Sequence, residues 1–192
     1  AFSACSDPDH VADYNVIPLP HEIVLSGDKG FVLNEKTVIA YPAENGLLAG
    51  TASLLAEYIE VSTGLRLETG TRPGIRNSIT LSSRHADPNS EAYRLSVQPR
   101  GILIEGASEA GAFYGAQTLR KSLPVAVDGE VLSEIYMPAV VIDDFPRFGY
   151  RGMHLDIGRH MFPVEFIKEY LDIMALHNIN TFHWHLTEDQ GW

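Results

Sequence analysis

Between Gly152 and Leu186 a short apolar run, a helical stripe and a second apolar run follow one another within about 35 residues, and this constrains the fold more than any other feature. The first run, Gly152–Ile157, leads into a loop of Gly158-Arg159-His160-Met161-Phe162. Pro163 suits the first turn of a helix, and Phe166, Ile167, Tyr170, Leu171 and Met174 recur at helical spacing behind it. His177-Asn178 closes that helix, because Asn is the usual substitute for Gly at a helix end. Ile179–Leu186 is rich in β-branched and aromatic residues and reads as a strand. So short a strand–helix–strand passage is a crossover unit, so the two strands are expected to be parallel and adjacent.

Strand geometry then sorts the polar residues. Alternation sends Phe182, Trp184 and Leu186 to one face and His183 and His185 to the other. Three bulky apolar groups belong under the helix, and two histidines belong in an interior or a site. The loop after the first strand carries Arg159 and His160, and the loop after the second carries Thr187-Glu188-Asp189-Gln190. Both loops lie at the carboxyl ends of parallel strands, where α/β folds build their sites. Five of the eight histidines also fall between His154 and His185.

The preceding residues, 14–145, read as a small α+β domain, a sheet with two helices and nothing catalytic in it. Ile23–Leu25, Thr37–Tyr41 and Ile79–Leu81 read as strands. Tyr93, Leu95 and Val97 alternate up to a Pro99-Arg100-Gly101 turn, from which Ile102–Glu105 returns as the partner of a hairpin. Leu47, Leu48, Thr51, Leu54, Leu55, Tyr58 and Ile59 mark one helix, with Gly64 just past its end. Ser108 is the expected N-cap of a second, on which Gly111 and Gly115 allow close packing. Asp143-Asp144-Phe145-Pro146-Arg147-Phe148 reads as a solvated linker, and residues 146–192 follow as a separate unit.

Charge limits the partners. The 14 Lys and Arg stand against 25 Asp and Glu, a formal net charge of −11, with no basic stripe, so nucleic acid is not an expected partner. No apolar run approaches the roughly 20 residues that span a bilayer. A single cysteine, Cys5, excludes an internal disulfide. Residues 1–13 show no periodicity and read as a disordered tail. Ser3-Ala4 before Cys5 resembles a bacterial lipoprotein processing box, with Phe2 where Leu is usual. On that reading Cys5 is lipidated and the protein is exported to the periplasm or outer membrane. The other reading is a free thiol in a loose tail.

Several stretches together resemble the family 20 glycoside hydrolases, the β-N-acetylhexosaminidases. They are Phe145-Pro-Arg-Phe, Tyr150-Arg-Gly-Met-His-Leu-Asp-Ile-Gly-Arg-His, and Phe182-His-Trp-His-Leu-Thr-Glu-Asp-Gln-Gly-Trp192. The run from Glu91-Ala-Tyr-Arg-Leu to Gly115-Ala-Gln-Thr-Leu resembles the small domain that precedes the catalytic barrel in that family. The resemblance implies an α+β domain followed by the first βαβ unit of a truncated (β/α)8 TIM barrel, within a parent about 250 residues longer. It implies retaining, substrate-assisted hydrolysis of terminal β-linked N-acetylhexosamine from glycans, with no cofactor and no metal. The family's catalytic Asp-Glu pair has no counterpart here and is expected downstream, so the chain alone is expected to be inactive.

Matched motif to motif, Arg159 falls on the arginine that binds hydroxyls of the terminal sugar. His185 and Glu188 fall where the family has a histidine and an acidic residue near its acid/base Glu. The commoner family residue at Glu188 is Asp, and the extra methylene moves the carboxylate by about 1.5 Å. Arg159 could instead pair with Asp156 or Asp189 to pin the strand ends, and His183 could be an interior histidine. Two other functions remain open at this point. His183 and His185, two apart on one strand face, suit a metal-dependent barrel hydrolase; the chain could also be a non-catalytic carbohydrate-binding module.

Overall fold

The structure, a computed structural model, describes residues 10–72, 76–127 and 130–189. The chain divides into two compact units, residues 1–145 and 146–192. Cys5 and the Gln190-Gly191-Trp192 end of the last motif lie outside the described residues.

The first unit is built on a seven-stranded mixed sheet in the order β1-β9-β6-β7-β5-β3-β4. These strands are β1 (Glu22–Leu25), β3 (Val38–Ala40), β4 (Glu68–Gly70), β5 (Ser78–Ser82), β6 (Tyr93–Gln98), β7 (Gly101–Gly106) and β9 (Val140–Asp144). β4, β3, β5 and β7 run parallel, while β6 is antiparallel to both β7 and β9. Alternation is visible in the burial: Ile102 and Ile104 of β7 are buried, whereas Leu103 and Glu105 between them are half-buried. A second, two-stranded ladder of β2 (Phe31–Asn34) and β8 (Glu134–Met137) adds Phe31, Leu33, Ile135 and Met137 to the same core.

Two helices cover the buried side. α1 (Gly46–Thr63) starts at Asn45, whose side chain accepts the Leu48 N–H, and ends at Gly64 with φ 76°. That left-handed conformation is the one Gly adopts without a Cβ penalty. α2 (Glu109–Ser122) starts at Ser108, whose hydroxyl accepts the Ala110 N–H. Gly111 and Gly115 have the packing role expected of them. A Cβ on Gly111 would stand 2.1 Å from the Ala92 carbonyl oxygen, and one on Gly115 2.5 Å from Ile104 Cγ2.

Three expectations are corrected in this unit. The Asp143-Asp144 pair is not a solvated linker, because β9 continues through Asp144 and pairs with β6. The two carboxylates leave on opposite faces: Asp143 forms a bidentate pair with Arg94 at 2.7 and 2.9 Å, while Asp144 accepts from the Tyr93 hydroxyl at 3.0 Å. The loose tail does not reach residue 13, since Ala12 N–H bonds to Tyr136 O, Asp13 N–H to Ser122 O, and Ala12 is buried. β2, β4, β8 and β9 are strands in addition to those read from the sequence. β2 and β8 carry apolar residues on both faces (Val32 and Tyr136 beside Leu33 and Ile135), which hides the alternation that would have marked them.

The second unit is the crossover: β10 (Gly152–Asp156), α3 (Val164–Leu176) and β11 (Thr181–His185), with β10 and β11 parallel in register. Pro163 is the N-cap of α3, one residue before the first turn. Asn178 takes φ 56° just after the helix, the left-handed turn that Asn tolerates. The Arg151 guanidinium donates to Asn178 O at 2.7 Å and to Phe148 O at 2.8 Å, tying the entry to β10 to the turn before β11.

Candidate active site

Parallel pairing puts His154 opposite His183 and Asp156 opposite His185. These four side chains share the face away from α3. On the other face Phe182 lies 5.7 Å from Tyr170 of α3, and Trp184 lies 5.9 Å from Phe182. The histidine rings stand close, with His154 4.6 Å from His183 and stacked on His185 at 5.9 Å.

At the carboxyl ends of both strands the polar residues meet. Asp156, the last residue of β10, accepts the Arg159 backbone N–H at 3.1 Å and the Arg159 Nη1 at 2.6 Å. Arg159 Nη2 lies 3.1 Å from Glu188 Oε1 in the loop after β11. His185 Nδ1 lies 3.3 Å from Asp156 Oδ2 and 4.0 Å from Glu188 Oε1. The structure therefore brings Arg159, His185 and Glu188 together, and the partners of Arg159 are Asp156 and Glu188 rather than Asp189. The Arg159 N–H, then the His185 ring and the Arg159 charge, hold the Asp156 carboxyl below its usual range.

Asp156 is the hub of the cluster, a place that sequence motifs alone do not give it. The signal for it is its position: it ends the strand opposite His185, and parallel register puts such residues at one level. The guanidinium carries five N–H donors, of which Asp156 accepts one as a hydrogen bond, while Glu188 faces it as an ion pair. With the side chain 71% exposed, the remaining donors face solvent and can hold vicinal hydroxyls.

Asp156, His185 and Glu188 also form a group whose ligand atoms lie within 4.8 Å of one another, a set that could hold a metal ion. His183 is not part of it, so the metal pair expected from His183 and His185 does not form the group. Arg159 already places a positive charge between the two carboxylates, which leaves them little demand for a second cation.

The family model described as "Glycosyl hydrolase family 20, domain 2" matches residues 13–145, and "Glycosyl hydrolase family 20, catalytic domain" matches residues 148–192. The chain belongs to glycosyl hydrolase family 20. It is 44% identical over 190 residues to a beta-hexosaminidase of Porphyromonas gingivalis, covering 96% of this chain and 24% of that protein. Among solved structures, the family 20 beta-N-acetylhexosaminidase from Streptomyces coelicolor A3(2) superposes with a TM-score of 0.80 at 31% identity, over 92% of this chain and 35% of that one. The exo beta-N-acetylglucosaminidase from Vibrio harveyi, in complex with N-acetylglucosamine, superposes with a TM-score of 0.76 at 30% identity, over 97% and 28%. The chain thus spans about a quarter to a third of the length of these family 20 relatives. Neither a metal-dependent hydrolase nor a non-catalytic binding module is favoured by these likenesses.

Proposed function

We propose that this family 20 chain supplies the small domain and the opening crossover of a (β/α)8 barrel in a β-N-acetylhexosaminidase, which removes terminal N-acetylhexosamine from glycans. The observation that carries the reading is Arg159, held by Asp156 and Glu188 at the carboxyl ends of two parallel strands with donors left for a ligand. In this reading Arg159 binds hydroxyls of the terminal sugar, Asp156 and Glu188 fix its fork, and His185 orients the carboxylates. The substrate's own 2-acetamido oxygen attacks the anomeric carbon, and an Asp-Glu pair on a later strand steadies that group and protonates the leaving oxygen. The same proposal includes export as a lipoprotein through Cys5.

The test is release of 4-nitrophenol from its β-N-acetylglucosaminide, by this chain and by the protein continued through a whole barrel. Turnover by the continued protein alone is expected. Arg159→Ala in it should lower kcat/KM at least about tenfold, a loss of about 1.4 kcal/mol in transition-state binding. An unchanged value would remove Arg159 from the site. Palmitate incorporation that disappears in Cys5→Ala would support the anchor, and its absence in the original protein would reject it.

A further inference from the structure

Most arginines with described partners are engaged by their own neighbours. Arg66 pairs with Glu60, Arg94 with Asp143 and Arg159 with Asp156, while Arg120 lies 3.6 Å over the Tyr58 ring. Arg76 and Arg100 have no such partner among the described residues, and unlike the exposed Arg72 and Arg84 they share one concavity. Both are exposed, and among the described residues neither guanidinium makes an ion pair or a hydrogen bond. Both line one concavity of about 430 Å3, together with Gly30, Phe31, Val32, Asn34, Asn77 and Pro99. No carboxylate is among those lining residues. In a chain of net charge −11 these two arginines thus face a concavity with no carboxylate in its lining.

The two arginines are presented on a fixed frame. Asn77, at φ 60°, donates its N–H to Arg100 O at 2.8 Å, joining the start of β5 to the turn between β6 and β7. Its side-chain oxygen accepts from the Thr37 hydroxyl at 2.8 Å, and its carbonyl accepts the Val38 N–H at 3.2 Å. The turn and the strand also lie flush, since a Cβ on Gly101 would stand 2.5 Å from Ser78 O. The frame fixes the two backbones, and the guanidiniums they carry have the forked donors that suit tetrahedral oxyanions and carboxylates. Val32, 40% exposed, and the exposed Pro99 offer apolar surface beside them, against which the C–H face of a sugar ring can lie.

We infer that this concavity binds an oxyanion carried on a saccharide, separately from the site around Arg159. The saccharide rests on the proposed glycan-directed function; the oxyanion rests on Arg76 and Arg100 alone. The experiment follows the arginine Nε–H signals of the whole chain by NMR during titration with N-acetylglucosamine 6-sulfate, N-acetylglucosamine 6-phosphate, glucuronate, uncharged N-acetylglucosamine and inorganic sulfate. A charged sugar should shift the Arg76 and Arg100 signals, and its affinity should weaken at least about tenfold in Arg76→Gln and in Arg100→Gln. Arg159→Gln should leave the affinity read from the Arg76 and Arg100 signals unchanged, and added salt should weaken it. The relative strength of the three charged sugars names the anion. No shift with any charged sugar at millimolar concentrations, or binding that survives both substitutions, would overturn the site. Inorganic sulfate bound as tightly as the sulfated sugar would overturn the saccharide as its carrier. Failure of the hydrolysis assay would leave the Arg76 and Arg100 result standing.

Discussion

One carboxylate holds both ends of one residue: Asp156 Oδ1 accepts the Arg159 backbone N–H at 3.1 Å, and its Oδ2 accepts the Arg159 Nη1 at 2.6 Å. The backbone bond fixes the turn after β10, and the side-chain bond then limits where the guanidinium can point. Because the Arg159 side chain is largely exposed, this pairing contributes more to orientation than to stability.

Asp156→Asn keeps an acceptor for the backbone N–H and removes the charge that holds the fork. In the protein continued through its barrel, KM is expected to rise severalfold while kcat changes less, because a wandering guanidinium weakens sugar binding in ground and transition states alike. Steady-state kinetics on the nitrophenyl substrate checks this. A lower melting temperature with KM unchanged would assign Asp156 a purely structural role.

Two glycine-to-alanine changes in helices should have opposite signs. At Gly50 in α1 an added Cβ would meet nothing within 4 Å, so Gly50→Ala should stabilise by about 0.5–1 kcal/mol through helix propensity and a less free unfolded chain. Gly111→Ala drives its Cβ to 2.1 Å from a backbone oxygen in α2's sheet contact, and should destabilise by about 1–3 kcal/mol or more. Urea unfolding of both variants decides the comparison, and equal effects would contradict the packing.

Asn45 caps α1 and also reaches α2, accepting from Leu48 N–H at 3.0 Å and donating Nδ2 to Glu109 Oε1 at 2.8 Å. The Asn45 amide is the first cause holding the Glu109 carboxyl below its usual range. Aspartate is ordinarily as good a cap as asparagine. Here Asn45→Asp should nonetheless destabilise at neutral pH, because it sets two carboxylates together, and Glu109→Gln should restore the loss. Melting temperatures of the single and double variants test the coupling.

Burial pushes the Lys121 amine down to about 8, opposed by the Asp144 charge and reinforced by Arg120. A lysine whose folded value lies below its unfolded one binds protons less well when folded. Its contribution to stability is therefore present above the unfolded value of about 10.4 and lost as pH falls towards 8. Between pH 8 and about 10 the chain should gain stability relative to Lys121→Met, whose unfolding should lack that slope. Parallel curves for the two proteins in urea would show that Lys121 is solvated.

Much of this chain was legible before its structure. The spacing of Leu48, Leu55 and Ile59 with Gly64 behind them specifies α1, and Ser108 specifies the start of α2. The crossover from Gly152 to Leu186 was readable because short loops and a right-handed chain leave few ways to connect such elements. The side chains of Phe182, Trp184, His183 and His185 separated onto two faces for the same local reason.

What the residues determined alone is whatever is settled within a few positions along the chain: caps, periodicities, the parallel pair, and the placing of Arg159 and Glu188 at the ends of its strands. What only the tertiary structure decided is which distant group each polar residue meets. Asp143 read as solvated until the sheet brought it to Arg94, 49 residues away, and Tyr93 to Asp144, 51 residues away. Arg76 and Arg100 come to line one concavity because the Asn77 N–H bonds to Arg100 O and ties their turns together. The physical reason is that a hydrogen-bonding or charged side chain has no preferred distant partner in the extended chain. Its partner is chosen when burial of the apolar faces fixes strand order and register, and the polar groups then pair with whatever that order has brought within reach.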